Sequence, residues 1–170
     1  KMQRNLNLKI KFRESFRPFA PSILYEKISE WFEYNEKSPY MLMVSNIKNS
    51  KLLKESNINS KYNLNYINHT RSLIPAVTHV DNTARIQTVH KETNPIFYEL
   101  IKEFFQISKV PILVNTSFNI RGEPIVCSPE DAFNCLMGTN LDILVIENFY
   151  IEKKKQDKSL INDYRDKFDL

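Results

Sequence analysis

Pro111-Ile112-Leu113-Val114-Asn115-Thr116-Ser117-Phe118-Asn119, followed closely by Arg121-Gly122-Glu123-Pro124, is the stretch on which the reading of this chain turns. A short apolar run ends abruptly in small polar side chains. This is the pattern of a buried strand whose carboxyl end opens into a crevice. Asn115, Thr116, Ser117 and Asn119 bring amides and hydroxyls to that mouth. Arg121 brings a planar fork of donors that suits a carboxylate or a phosphate.

Working outward, the downstream side is well punctuated. Ser128-Pro129-Glu130-Asp131 reads as a helix start, with a hydroxyl cap, proline at the first turn and acids at the positive end of the dipole. That helix is expected to bury Ala132, Phe133, Leu136 and Met137 and to stop at Gly138. Leu141–Ile146 reads as a buried strand, and Phe149–Ile151 as another across a turn at Asn148. Upstream, Asn94-Pro95 starts a helix with the apolar stripe Phe97, Leu100, Ile101, Phe104 and Phe105. Leu73–Val80 and Thr83–Val89 read as two strands joined at Asp81-Asn82, a hairpin turn that Asn suits because it tolerates positive φ.

Further upstream, Tyr40–Val44 reads as a buried strand and Leu24–Phe32 has helical spacing. Leu8, Ile10 and Phe12 alternate with Lys9, Lys11 and Arg13, which predicts a strand with one cationic face, ended by Pro18 and Pro21. Residues 47–72 are rich in Asn and Lys and read as an exposed insertion. The order of elements indicates an α/β (α+β) chain with a mixed sheet.

Composition narrows the function. The chain has 170 residues, 42% hydrophobic and 12% aromatic, enough for a core, and a net charge of +4. That charge suits an anionic ligand and is too weak and unclustered to point to nucleic acid. Cys127 and Cys135 lie eight apart, outside any metal-type spacing, and read as core residues of a reduced, cytoplasmic protein. No apolar run has the length of a membrane span, and the opening residues do not read as a signal peptide. A start at Lys1 is expected of a piece of a longer protein. Glycine occurs only at Gly122 and Gly138. Glycine-rich phosphate loops cannot be written with these two, so a phosphate must be held by Lys, Arg, Ser, Asn or helix N-termini.

Four ordered blocks of this chain resemble a known family. Lys11-Phe12-Arg13-Glu14-Ser15-Phe16-Arg17-Pro18-Phe19-Ala20-Pro21-Ser22 is similar to the opening of the C-terminal domain of NodU/CmcH-type O-carbamoyltransferases. Thr78–Val89 is similar to a second block, Val114–Asn119 with Gly122-Glu123-Pro124 to a third, and Ser128–Ala132 to a fourth. Asn82 stands where members commonly carry glycine. The resemblance covers residues 1–153, with 154–170 left as a charged tail. It implies a YrdC-like fold: a twisted, mixed open sheet with flanking helices around a concave basic cavity.

The resemblance also implies a chemistry. The C-terminal domain binds ATP, with Mg²⁺ on its phosphates, and carbamoyl phosphate, and forms carbamoyl adenylate. A separate N-terminal, metal-bearing domain or subunit then passes the carbamoyl group to a hydroxyl. No protein-held metal is expected in this chain. Lys11, Arg17, Arg85 and Ser117 are the implied catalytic residues. Asn115 and Arg121 join them in binding substrate, with Arg13, His79, Thr116 and Asn119 in second rank. Residue chemistry offers structural readings beside these: Arg85 in an ion pair with Asp81 or Glu123, Arg13 with Glu14, His79 inert in its strand. The competing functions are a nucleotide- or RNA-binding YrdC-like module and an inactive remnant. Alanine at Lys11, Arg85 or Ser117 is expected to weaken substrate use with the fold intact.

Overall fold

The structure, a computed structural model, describes residues 2–53, 67, 69–161, 163 and 168. The chain divides into two compact units, Pro18–Thr116 and the pair of segments Lys1–Arg17 and Ser117–Leu170. The architecture is α/β, with a mixed four-stranded sheet and several helices.

The unit Pro18–Thr116 is built on that sheet. Its strands are β1 (Ala20–Leu24), β2 (Met43–Asn46), β3 (Thr83–Val89) and β4 (Ile112–Asn115), in the order β2-β3-β1-β4. β1 runs parallel to β3 and antiparallel to β4, and β2 runs antiparallel to β3. β1 lies between two partners and is buried at all five positions. Helix α3 (Pro95–Ser108) covers it, with Ile101 packed against Leu24 and Val89. The start of α3 follows the sequence: the Asn94 side chain accepts from the Phe97 N–H at 3.2 Å and Pro95 occupies the first turn. Its stripe is narrower than expected. Leu100 and Phe104 face outward, and Tyr98 joins Phe97 and Phe105 around Ile101.

The helical reading of Leu24–Phe32 holds from Tyr25 to Trp31, as a 3₁₀ turn, Tyr25–Lys27, that runs into the short α2 (Ile28–Trp31), while Leu24 itself is paired in β1. Two expectations in this unit fail for physical reasons. Tyr40–Val44 does not form a buried strand. β2 starts later, sits at the sheet edge and leaves Leu42, Met43 and Val44 exposed. Leu73–Val80 is not a strand, since Pro75 opens a 3₁₀ turn, Pro75–Val77. The turn after it survives: Asn82 has φ 65° and its N–H bonds the His79 carbonyl at 3.1 Å. Residues 47–72 are not exposed at their ends. Ile47, Arg71 and Ser72 are buried and Leu52 bridges to Ser72, because each end must satisfy its backbone beside the core. Residues 54–66 and 68 lie outside the described residues.

The second unit holds α1 (Met2–Lys9), α4 (Pro129–Gly138) and the hairpin of β5 (Ile143–Ile146) and β6 (Phe149–Glu152). The cationic strand expected from Leu8 to Arg13 is instead the end of a helix. Met, Gln, Arg, Leu and Lys are good helix formers and outweigh a short alternation. Phe12 takes φ 47°, and the Lys11 and Arg13 N–H groups reach back to the Leu6 and Asn7 carbonyls at 2.8 and 3.0 Å, closing the end of the helix. α4 packs Ala132, Leu136 and Met137 against Leu144. β5 and β6 meet across Glu147 and Asn148, as expected, but β5 is buried on one face only, through Leu144. Phe168, in the charged tail, packs against Ile120 and Cys135. Cys135 is a core residue as expected, whereas Cys127 is exposed, just ahead of α4.

The capping box of α4 joins sequence to stability. The Ser128 hydroxyl accepts from the Asp131 N–H, and the Asp131 carboxylate accepts from the Ser128 N–H, both at 3.1 Å. The hydrogen bond to Ser128, foremost, holds the Asp131 carboxyl below its ordinary value. A carboxyl depressed in the folded state contributes stability that is present above its unfolded pKa and is lost as pH falls through the folded one. Ser128→Ala is therefore expected to cost about 1 kcal/mol in denaturant unfolding at neutral pH. The stability gap between the parent and Asp131→Asn should close as the solution is acidified below the usual carboxylate range.

Candidate functional site

The loop after β4 is organised by one buried ammonium. Lys11 is only 5% exposed. Its Nζ donates to the Ser117 carbonyl at 2.7 Å, the Asn119 carbonyl at 2.6 Å and Asn119 Oδ1 at 2.7 Å. These three acceptors match the three hydrogens of an ammonium. Burial, then the neighbouring Arg13, pushes the Lys11 pKa down to about 8. The loop is closed by its own side chains as well. Ser117 Oγ donates to Asn119 Oδ1 at 2.7 Å, Asn119 Nδ2 donates to the Glu123 carbonyl at 2.8 Å, and the buried Glu123 carboxylate accepts from the Ile120 N–H at 2.7 Å. Gly122 takes φ 77°, a value open to glycine at no steric cost, and this turn carries Arg121 at its corner.

The segment after α1 is set by Asn7, which is fully buried. Its Nδ2 donates to the Arg17 carbonyl at 2.8 Å and its Oδ1 accepts from Arg13 Nε at 2.7 Å. Asn7 thus holds Arg13 in place, with the charge of Glu14 nearby. Glu14 pairs with Arg17 at 3.1 Å. A backbone hydrogen bond first, then the charges of Arg17, Arg121 and Arg13, hold the Glu14 carboxyl below its ordinary value.

Between these two segments lies a cavity of about 250 Å³ lined by Lys11, Arg13, Glu14, Arg17, Ser117, Asn119 and Arg121. Lys11, Ser117 and Asn119 are committed to one another, so they shape the wall. Arg17 and Arg121 are exposed, and the Arg121 side chain makes no hydrogen bond among the described residues. A wall of three guanidinium groups, with Glu14 offsetting part of their charge, has donors of the kind that can pair with an anion's oxygens.

The remaining expected residues belong to the sheet unit. Arg85 stands on β3 opposite Val44; it is exposed and makes no ion pair among the described residues, which removes the structural reading of a buried pair. Asn115 ends β4, and its Nδ2 donates to Gln87 Oε1 at 2.7 Å. Thr116 is exposed. His79 is part of the turn before β3: its Nδ1 bonds Thr83 Oγ1 at 2.9 Å, and burial pushes its pKa down. It reads as structural. Sequence reasoning missed Asn7, Gln87 and Glu123. Asn7 alone left a signal, an asparagine inside a run of helix formers, where its side chain competes with the helix backbone.

Two outcomes test this geometry. Lys11→Met would leave the Ser117 and Asn119 carbonyls without the ammonium that gathers them. It should cost about 2 kcal/mol in denaturant unfolding. Glu14→Gln removes the carboxylate that competes for the arginines. It should tighten pyrophosphate binding severalfold in calorimetry at low salt, with the gain fading as salt rises.

Among the described residues, no cluster of His, Cys, Asp or Glu could hold a metal ion, and no helix is long and apolar enough to cross a membrane. The profile of the family described as carbamoyltransferase C-terminus matches residues 1–153. An uncharacterized protein of Synechocystis sp. is 53% identical over 156 residues, covering 91% of this chain and 25% of the relative. Nodulation protein NolO of Bradyrhizobium diazoefficiens is 39% identical over 152 residues, covering 88% and 24%. The 3'-hydroxymethylcephem-O-carbamoyltransferase of Amycolatopsis lactamdurans is 33% identical over 142 residues, covering 83% and 23%. The chain thus spans about a quarter of the length of the curated relatives it matches. Matched by that profile over residues 1–153, this chain belongs to the carbamoyltransferase C-terminus family.

Proposed function

We propose that this chain forms carbamoyl adenylate from ATP and carbamoyl phosphate: water takes the phosphoryl group of carbamoyl phosphate, giving phosphate and carbamate, and the carbamate oxygen then bonds to the α-phosphorus of ATP as the bond from that phosphorus to pyrophosphate breaks. The carbamoyl group then goes to a hydroxyl acceptor on an N-terminal, metal-bearing domain or subunit. The observation that carries the reading is the cavity lined by Arg13, Arg17 and Arg121 in a member of a carbamoyltransferase family. Two polyanions repel each other, and bringing them together needs fixed cations that do not reorganise during the reaction. Guanidinium groups supply that charge at any physiological pH and grip phosphate oxygens in pairs. Arg17 and Arg121 bind phosphate oxygens, Arg13 adds charge behind them, and Lys11 with Ser117 and Asn119 holds the wall in register.

ATP enters as its magnesium complex, with the ion held mainly by the phosphates. The residues present suit that arrangement, since Glu14 is the cavity's one lining carboxylate and is paired with Arg17. The share of each relative that lies beyond the match, about three quarters, gives room for the transfer half of the reaction.

The test is pyrophosphate release from ATP by this chain, with and without carbamoyl phosphate. Release that needs carbamoyl phosphate is the expected result. Arg17→Ala and Arg121→Ala should each lower the rate about tenfold or more with an unchanged unfolding midpoint. Equal turnover in both variants would remove the cavity from the reaction.

A further inference from the structure

The sheet unit has a cavity of its own, of about 460 Å³, beside the end of β3 and the start of α3. Lys37, Tyr40, His90, Glu92, Asn94 and Phe97 line it, and none of them lines the cationic cavity. His90 is only 8% exposed, and Tyr25 covers one face of its ring, with the ring centroids 4.5 Å apart. The His90 carbonyl accepts from the Asn94 N–H at 3.0 Å, which ties His90 to the start of α3. The segment that carries Lys37 and Tyr40 is tied to β3. The Thr88 N–H donates to the Ser38 carbonyl at 2.9 Å, and Gln87 Nε2 donates to the Pro39 carbonyl at 3.0 Å.

A relay of hydrogen bonds sets what His90 offers. The Ser38 N–H donates to Thr88 Oγ1 at 2.8 Å, and Thr88 Oγ1 lies 2.9 Å from His90 Nε2. Thr88 is buried, and its single hydroxyl hydrogen has no other acceptor among the described residues. That hydrogen goes to Nε2, so the hydrogen of the neutral ring sits on Nδ1. Burial first, then the charge of Lys37, pushes the His90 pKa below its ordinary value against the opposing charges of Glu92 and Glu26, which keeps the ring neutral at neutral pH. Nδ1 bonds nothing among the described residues and is left to the cavity. Asn94 is oriented as well. Its Oδ1 accepts the Phe97 N–H, which turns its Nδ2 away from the helix as a second donor. Lys37 forms no ion pair among the described residues, and the positive end of the α3 dipole adds to its field.

We propose that this cavity binds an aromatic monocarboxylate, whose oxygens accept from His90 Nδ1 and Asn94 Nδ2 beside the Lys37 ammonium and whose ring lies against Phe97 and Tyr40. Tyr40 is 80% exposed, an aromatic face that the protein itself leaves uncovered. The volume suits a compound of one or two rings. The charge of the wall selects the acid. Two of its donors are neutral, its one ammonium is Lys37, and the Glu92 carboxylate stands in the same lining. Such a wall suits a single negative charge and disfavours a second. The site is independent of the reaction proposed above.

The experiment is calorimetric binding of phenylacetate to the full chain, beside three analogues. Phenylacetamide keeps the ring and loses the charge, acetate keeps the charge and loses the ring, and phenyl phosphate carries a second charge. Phenylacetate should bind about tenfold or more tightly than each of them. Lys37→Gln and Tyr40→Ala change exposed side chains and should leave the unfolding midpoint unchanged while each weakens phenylacetate about threefold or more. His90→Phe keeps a ring against Tyr25 and removes the donor, and should cost about tenfold in the same affinity. The imidazole nitrogen NMR spectrum of the free protein should show the His90 hydrogen on Nδ1 at neutral pH. Absence of phenylacetate binding would overturn the proposal. So would binding that Lys37→Gln and Tyr40→Ala leave unchanged, equal or tighter binding of phenylacetamide or phenyl phosphate, or a His90 hydrogen found on Nε2. Each of these outcomes leaves the proposed function standing.

Discussion

A lysine ammonium with almost no access to water is the constraint on which the cavity unit depends. Lys11 stands just beyond α1, and its three hydrogens are spent on the carbonyls of Ser117 and Asn119 and on the Asn119 amide. A buried charge is costly unless it is surrounded by acceptors. Once these oxygens are gathered, the loop from Ser117 to Glu123 cannot drift from the segment after α1 without exposing that cost. Asn7 does the same on the other side by holding the Arg17 carbonyl and the Arg13 guanidinium. The cavity is the space left between two segments so pinned.

This division of labour separates cations that look alike in the sequence. Lys11 is fully engaged inside the protein, whereas Arg17 and Arg121 stand exposed at the cavity. A buried lysine behind guanidinium groups raises the positive potential of the cavity wall. The sheet unit uses neutral polar groups in a similar way. Ser38 and Thr88 are committed internally and leave one nitrogen of His90 to its cavity. In both units the inner polar groups decide which atoms the outer ones present.

Much of the framework was legible from local rules. Asn94-Pro95 and Ser128-Pro129-Glu130-Asp131 started helices at the positions expected, because a cap and a proline act within a few residues of themselves. Asn82 turned the chain at a positive φ for the same local reason. Elements that depend on their neighbours were misread. Tyr40–Val44 has the composition of an inner strand, yet β2 lies at the edge of the sheet with those residues exposed. The alternation of Leu8, Ile10 and Phe12 gave way to helix propensity and a turn closed at Phe12. Of the candidate site, Lys11, Arg13, Arg17, Ser117, Asn119 and Arg121 do line one cavity, while His79 proved to be part of a turn.

By itself the sequence determined the α/β class, the helix starts, the turn at Asn82 and the ordered blocks that mark the family. All of these follow from short-range sterics, capping and residue order, which are fixed along the chain. Only the tertiary structure decided which cations are spent and which are offered, and which nitrogen of His90 carries the hydrogen. Those outcomes turn on acceptors more than a hundred residues from Lys11, at Ser117 and Asn119, and on the Ser38 N–H that orients the Thr88 hydroxyl. A hydrogen bond depends on distance and direction in space, and these are set only once distant segments have folded against each other.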